Sequence, residues 1–272
     1  MASVSEGPVS EMVEYRGARV SIVIPARNEA KNLPYVLPLL PKWVHEVILV
    51  DGHSTDDTIE GAQNLLPKIK IVQQNGKGKG NALQCGLAAS TGDIILMMDA
   101  DGSTDPQEVP RFIETLLAGA DFAKGSRFLG DGGSVDITFL RKLGNRALSL
   151  LVNLLFRVHF TDLCYGYNAF WRDCLEYFEV DCDGFEVEAQ IHLRLCKANV
   201  KIVEVPSFER SRIHGSSNLR ALPDGWRVLR VIMKEWISGL AVFGTVRMQP
   251  SFQRENFVYD EQVITEQVDA MQ

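Results

Sequence analysis

Asp99 and Asp101 stand one residue apart at the end of the apolar run Ile94-Ile95-Leu96-Met97-Met98, with Gly102 directly behind them. Two carboxylates held this close repel each other unless a cation sits between them. Hard oxygen donors in a half-open site suit Mg2+ or Mn2+ carrying the phosphates of a substrate. A solvated turn is the plain alternative, because Asp and Gly are common turn residues. Two more acids follow similar runs: Glu29 after Val20-Ser21-Ile22-Val23-Ile24-Pro25, and Asp51 after Glu46-Val47-Ile48-Leu49-Val50. The run Gly76-Lys77-Gly78-Lys79-Gly80 offers cations and bare amides that could meet a diphosphate. It matches neither the dinucleotide nor the phosphate-loop fingerprint, so a solvated loop explains it equally well.

Apolar runs of this length read as strands buried in a parallel sheet. Open α/β sheets bind ligands at the carboxyl ends of such strands. A further strand signal covers 69–73, and helix signals alternate with the strands, among them the start Ser54-Thr55-Asp56-Asp57-Thr58 and the segment 81–89. Four strand–helix repeats reach Asp101, then a helix over 106–117 and a strand over 121–125 follow. The alternation predicts an α/β fold, a mostly parallel twisted sheet with helices on both faces. Three strand ends then bring Glu29, Asp51 and the Asp99/Asp101 pair to one edge. The stretch 128–136, with Gly130, Gly132 and Gly133, reads as a loop.

Ile24-Pro25-Ala26-Arg27-Asn28-Glu29, Val50-Asp51-Gly52-His53-Ser54-Thr55-Asp56, Gly78-Lys79-Gly80-Asn81-Ala82 and Asp99-Ala100-Asp101-Gly102 resemble the inverting family-2 glycosyltransferases of GT-A fold. Gly125-Ser126-Arg127, Gly166-Tyr167-Asn168-Ala169-Phe170, Phe185-Glu186-Val187-Glu188 and Arg212-Ile213-His214-Gly215-Ser216-Ser217-Asn218 narrow the likeness. They resemble the branch that transfers mannose or glucose to dolichyl or polyprenyl phosphate. Each motif is weak alone; the ordered set, running from Val20 to Leu222, is specific. His53 stands where the family more often has a small residue, and Asn218 replaces a usual Lys. The membrane-spanning tail of many members has no counterpart in the sequence.

The resemblance implies a donor of the GDP-mannose or UDP-glucose type and a polyprenyl phosphate or related acceptor. It implies Asp51 for the base or ribose of the nucleotide, with Pro25, Ala26 and Glu29 in the same pocket. Lys79 and Asp99 would lie along the ribose and diphosphate, and Asp101, with Asp99, would hold Mg2+ or Mn2+. Arg127 on the donor and Arg212 with Ser217 on the acceptor are phosphate-binding candidates, since guanidinium forks pair bidentately with phosphate. An ordinary ion pair is the plain alternative for either arginine. A hydroxyl acceptor needs a general base, whereas a phosphate acceptor is already an anion. Glu188 and Asp162 are the candidates for that base and, with Asp101, the catalytic set. Glu186 and Glu188 diverge by about 200° on a helix, so one of them faces the site, and motif position favours Glu188.

At 272 residues the chain can bury one substantial α/β core. A formal charge of −7 argues against general nucleic-acid binding. Residues 1–10 carry no signal-peptide pattern, and five cysteines without a CxxC pair suit reduced thiols in the cytoplasm. Two basic, apolar segments stand out. No acid lies between Asp136 and Asp162, where Arg141, Lys142, Arg146 and Arg157 punctuate leucines; 226–243 mixes Trp226, Arg227, Arg230, Lys234 and Trp236 with apolar residues. Neither has the ~18 uninterrupted apolar residues of a spanning helix. Amphipathic helices of this kind lie on a membrane surface, and a homodimer face explains the same residues. The expected organisation is a catalytic domain over 1–222, an amphipathic helix over 223–247 and a polar tail over 248–272.

Other readings compete. A glycosyltransferase acting on a small-molecule or glycan hydroxyl shares every donor feature. A nucleotidyltransferase-like protein would show glycines after its first strand, where Ala26-Arg27-Asn28-Glu29 has none. A non-catalytic sugar-nucleotide binder has no use for the motifs at 162–170 and 212–218.

Overall fold

The computed structural model describes residues 15–177, 180–215 and 219–240. In chain order the elements are β1 (Val20–Ala26), β2 (Glu46–Asp51), α1 (Thr58–Leu65), β3 (Lys70–Gln73), α2 (Gly78–Ala89), β4 (Ile94–Met97), α3 (Val109–Leu117) and β5 (Phe122–Ser126). Then come β6 (Gly133–Ser134), α4 (Phe139–Phe156), β7 (Asn168–Trp171), α5 (Val187–Lys197), β8 (Ile202–Pro206), β9 (Phe208–Glu209) and α6 (Ala221–Leu240). Seven strands form one sheet in the order β3-β2-β1-β4-β7-β5-β8. Every pairing in it is parallel except the two made by β7.

The strands are apolar on both faces because both faces are covered. Ile22, Ile24, Leu49 and Leu96 pack on Phe112, Ile113 and Leu116 of α3. Val23, Ile48, Val50, Ile95 and Met97 pack on Leu83 and Leu87 of α2 and on Val187, Ile191 and Leu195 of α5. A Cβ on Gly86 of α2 would lie 2.4 Å from Val23 Cγ1, so this glycine sets how closely the helix meets the sheet. A third apolar cluster joins α4, α5 and α6 through Val152, Phe156, Leu193, Val228 and Ile232.

Two expectations change. No α-helix links β1 to β2; the link is a pair of 3-10 turns, Leu33–Tyr35 and Leu37–Leu39. Pro34 and Pro38 each lack the N–H that a continued helix would require. The loop 128–136 contains β6, which pairs with β9 in a second, two-stranded sheet. Among the described residues no helix is long and apolar enough to cross a membrane. The helix expected over 223–247 is described as far as Leu240; the rest of it and the tail over 248–272 lie outside the described residues.

Candidate functional site

Strands β2, β1 and β4 are neighbours, so their carboxyl ends open onto one cleft. Pro25 and Ala26 lie opposite Val50 and Asp51 in the β1–β2 register. Asp51 is 1% exposed, and its two oxygens share the Ser54 N–H at 3.3 and 3.2 Å. The turn after β1 is pinned to the start of α1: the Asn28 N–H donates to Ser54 Oγ and the Glu29 N–H to Thr58 Oγ1, both at 2.9 Å.

Four carboxylates and two cations meet across this edge. Lys79 Nζ lies 2.7 Å from Asp99 Oδ1 and 2.7 Å from Glu188 Oε1. Arg212 Nη1 lies 3.0 Å from Glu29 Oε1, and its Nη2 lies 2.8 Å from Asp101 Oδ2. Two negative charges are therefore in excess. Burial pushes the Glu188 carboxyl up, and the Lys79 charge offsets that only in part, so it titrates above the ordinary carboxylate range. Burial likewise raises Glu29 against the Asn32 hydrogen bond and the Arg212 charge. For Lys79 the balance runs the other way: burial disfavours the ammonium, but Asp99 and Glu188 outweigh it and hold it charged.

Among the described residues no group of three or more His, Cys, Asp and Glu could hold a metal ion. The protein's own contribution would thus be the hard oxygens of Asp101 and Asp99, with a diphosphate and water completing the shell. That donor set fits Mg2+ or Mn2+ carried with a phosphate substrate and is unsuited to a closed all-protein site.

The segment after β9 crosses over this turn. The His214 N–H donates to Asn32 Oδ1 at 2.9 Å, and Ile213 approaches Gly102 so closely that a Cβ there would lie 2.6 Å from Ile213 Cδ1. Ser217, an expected phosphate contact, lies outside the described residues.

Arg127, expected on the donor, and Asp162, a candidate base, meet each other in the interior. Arg127 is buried, and every nitrogen of its guanidinium is taken. Nε lies 2.7 Å from Asp162 Oδ2 and Nη2 3.0 Å from Asp162 Oδ1, while Nη1 lies 3.1 Å from Glu209 Oε2. Nη2 also donates to the Cys164 carbonyl, and the fork stacks 4.8 Å from the Tyr165 ring centre. Asp162 is 0% exposed and further accepts from Asn145 Nδ2 at 3.0 Å. Burial alone would raise its carboxyl; the Arg127 charge and hydrogen bonds outweigh burial and hold it below the ordinary range. A carboxylate so enclosed is a poor proton acceptor, and a guanidinium so enclosed has no donor left for a phosphate. The pair instead ties β5 to the segment leading into β7.

Sequence reasoning missed Asn32, whose Nδ2 holds Glu29 Oε2 at 2.5 Å, and Asn145, which anchors Asp162 from α4. Neither carries a type signal, because asparagine is common in loops and at helix surfaces.

Helix α4 exposes Phe139, Leu140, Leu143, Leu150 and Leu154, and its neighbour α6 exposes Leu222, Trp226, Met233 and Ile237. Arg146 of α4 and Arg227, Arg230 and Lys234 of α6 are exposed among them, whereas the α6 acids Asp224 and Glu235 are buried. The outward face of this helix pair is apolar and cationic.

Residues 21–178 match the family model described as Glycosyl transferase family 2. The chain is 30% identical over 213 residues to the dolichol-phosphate mannosyltransferase of Pyrococcus furiosus, with 74% of this chain and 59% of that protein covered. It is 32% identical to the undecaprenyl-phosphate mannosyltransferase of Micrococcus luteus, covering 74% of this chain and 87% of the relative. Glycosyltransferase AglJ of Haloferax volcanii is 30% identical, with 76% and 68% covered. The chain thus spans 59% of the length of the Pyrococcus furiosus relative. Among solved structures, glucosyl-3-phosphoglycerate synthase from Mycobacterium tuberculosis in complex with Mn2+, UDP and phosphoglyceric acid superposes with a TM-score of 0.64 at 25% identity, covering 81% of this chain and 79% of that one.

Proposed function

The chain belongs to glycosyl transferase family 2, and from that membership we propose that it moves a hexose, with inversion, from a GDP-mannose or UDP-glucose type donor to a polyprenyl phosphate. The observation that carries the reading is the charge arrangement of the cleft. Asp99 and Asp101 follow one strand, Glu29 and Glu188 join them, and with only Lys79 and Arg212 to counter the four carboxylates two negative charges remain for a divalent cation to balance. The relatives named for dolichol- and undecaprenyl-phosphate mannosyl transfer support the acceptor class. The synthase crystallised with Mn2+ and UDP supports a metal-bound nucleotide donor.

In this reading Asp51, Pro25, Ala26 and Glu29 receive the nucleoside end of the donor, and Lys79 with Asp99 flanks its diphosphate. Asp101 and Asp99 would hold Mg2+ or Mn2+, which when bound would supply Lewis-acid neutralisation of charge developing on the departing diphosphate. Arg212, already on Asp101 and Glu29, is positioned to turn from those carboxylates to an entering phosphate. A phosphate acceptor needs no base, and Glu188 then serves to hold Lys79. The raised Glu188 carboxyl favours a second reading, a hydroxyl acceptor deprotonated by Glu188.

The face of α4 and α6 is read as resting on an anionic lipid surface, with the enzyme peripheral on the cytoplasmic side of a membrane. Charge argues against a second copy there, since a homodimer would set cations against cations. Incubation with labelled GDP-mannose and UDP-glucose, with and without polyprenyl phosphate, tests the function. Label should enter the lipid fraction only with polyprenyl phosphate and a divalent cation, and Asp101→Ala should abolish transfer while keeping the fold. Transfer by Asp101→Ala in excess chelator would refute the chemistry.

A further inference from the structure

Gly166, just before β7, is buried against two charged side-chain tips that meet across the cleft. A Cβ on it would overlap Glu188 Oε1 and lie 2.8 Å from Lys79 Nζ and 3.2 Å from Glu188 Cδ. Its φ lies outside the left-handed region, so backbone conformation does not call for glycine at this position. Space does.

Two other glycines bring Lys79 to the same place through a different kind of contact. Gly78 and Gly80 flank it at the start of α2. A Cβ on Gly78 would collide with the Asp183 carbonyl, and one on Gly80 with the Cys182 carbonyl. The Gly80 N–H donates to the Asp183 carbonyl at 3.0 Å, and the chain from there runs into α5, which carries Glu188. The glycine-rich run therefore seats α2 against the lead-in to α5, with Lys79 carried between them.

The three positions differ in what an added methyl group would meet. At 78 and 80 it meets backbone, which gives way only if a helix start moves. At 166 it meets the far ends of two flexible side chains, which give way at little cost to the fold. Those ends are the atoms of an ion pair, Lys79 Nζ and Glu188 Oε1, 2.7 Å apart. The same ammonium lies 2.7 Å from Asp99 Oδ1. We infer that Gly166 is a positioning residue: its missing Cβ leaves the space in which one ammonium reaches Asp99 and Glu188 together. The inference rests on the proposed places of Lys79 and Glu188 in the reaction.

Coupling between Lys79 and Glu188 is measured by a double-mutant cycle, Lys79→Met with Glu188→Gln, from urea unfolding of the full chain. The cycle is run with Gly166 and again with Gly166→Ala. With glycine the pair should couple about tenfold in the folding equilibrium, and with alanine about threefold or less. Gly166→Ala alone should barely move the melting temperature. Single-turnover transfer should slow about tenfold with Gly166→Ala, the scale of one charged contact, and should not slow further when that change is added to Lys79→Met. Equal coupling in both backgrounds overturns the inference, and so does equal slowing by Gly166→Ala with and without Lys79. A collapse of stability in Gly166→Ala overturns it as well, because the obstacle would then be backbone. The cycle needs no substrate, so native protein that couples as expected but transfers nothing refutes the functional reading and leaves the placement of the pair standing.

Discussion

Replacing Arg127 with Met tests whether this arginine is a structural counter-charge or a phosphate clamp. The substitution keeps the volume and removes every donor of the fork. Asp162, at 0% exposure, would keep Asn145 and backbone N–H partners but lose its cation, and Glu209, at 8%, would lose its own. Removing one partner of a buried ion pair costs about 3–5 kcal/mol. For a domain of this size that lowers the melting temperature by about 10 °C. Adding Asp162→Asn should return a large part of the loss, because an amide needs no counter-charge. The pH dependence gives an independent sign. In the native protein Asp162 titrates below the ordinary carboxylate range, so its contribution is present above that range and lost as pH falls through the lowered value. Without Arg127, burial dominates and raises the carboxyl, so the destabilisation should shrink as pH falls through that raised value. Circular dichroism melts across that range read both effects. A variant with native stability and weakened donor binding would refute the structural assignment and restore Arg127 as a phosphate contact.

Lys79→Met should move the acid limb of kcat/KM to higher pH, since Glu188 loses the cation that partly offsets its burial; an unmoved limb together with a lower rate would confine Lys79 to the donor. Glu188→Gln should slow transfer about 10²–10⁴-fold if the acceptor is a hydroxyl and far less if it is a phosphate, read from single-turnover rates. Changing Arg141, Lys142 and Arg146 of α4 together to Gln should weaken sedimentation with phosphatidylglycerol vesicles about a hundredfold, at about 1 kcal/mol per cation. Vesicle binding that ignores both the substitution and raised salt would count against the lipid surface.

The sheet was legible because its strands are apolar on both faces, a pattern that requires burial between two helix layers. Glu29, Asp51, Asp99 and Asp101 were legible for the same reason: an acid ending such a run must emerge at the sheet edge. The link between β1 and β2 was misread as helical because its leucines outnumber its prolines, although Pro34 and Pro38 are what decide it. The antiparallel β7 carries no mark, since its four buried residues would suit a parallel strand equally.

The charges show the limit more sharply. Arg127 and Arg212 have the same side chain, and both follow strands. Arg212, on the crossing segment after β9, meets the carboxylates of the cleft. Arg127, directly after β5, meets Asp162 across 35 residues and is sealed beneath Tyr165. Residue type says that a guanidinium will find an anion; only the fold says whether that anion is an internal carboxylate or remains to be supplied by a ligand. Lys79 makes the same point from the other side. Its glycine-rich setting suggested a phosphate contact, and its ammonium joins Asp99 after β4 to Glu188 at the start of α5. Any ligand that draws Asp99 away must therefore change the field at Glu188, which couples occupancy of one half of the cleft to proton affinity in the other.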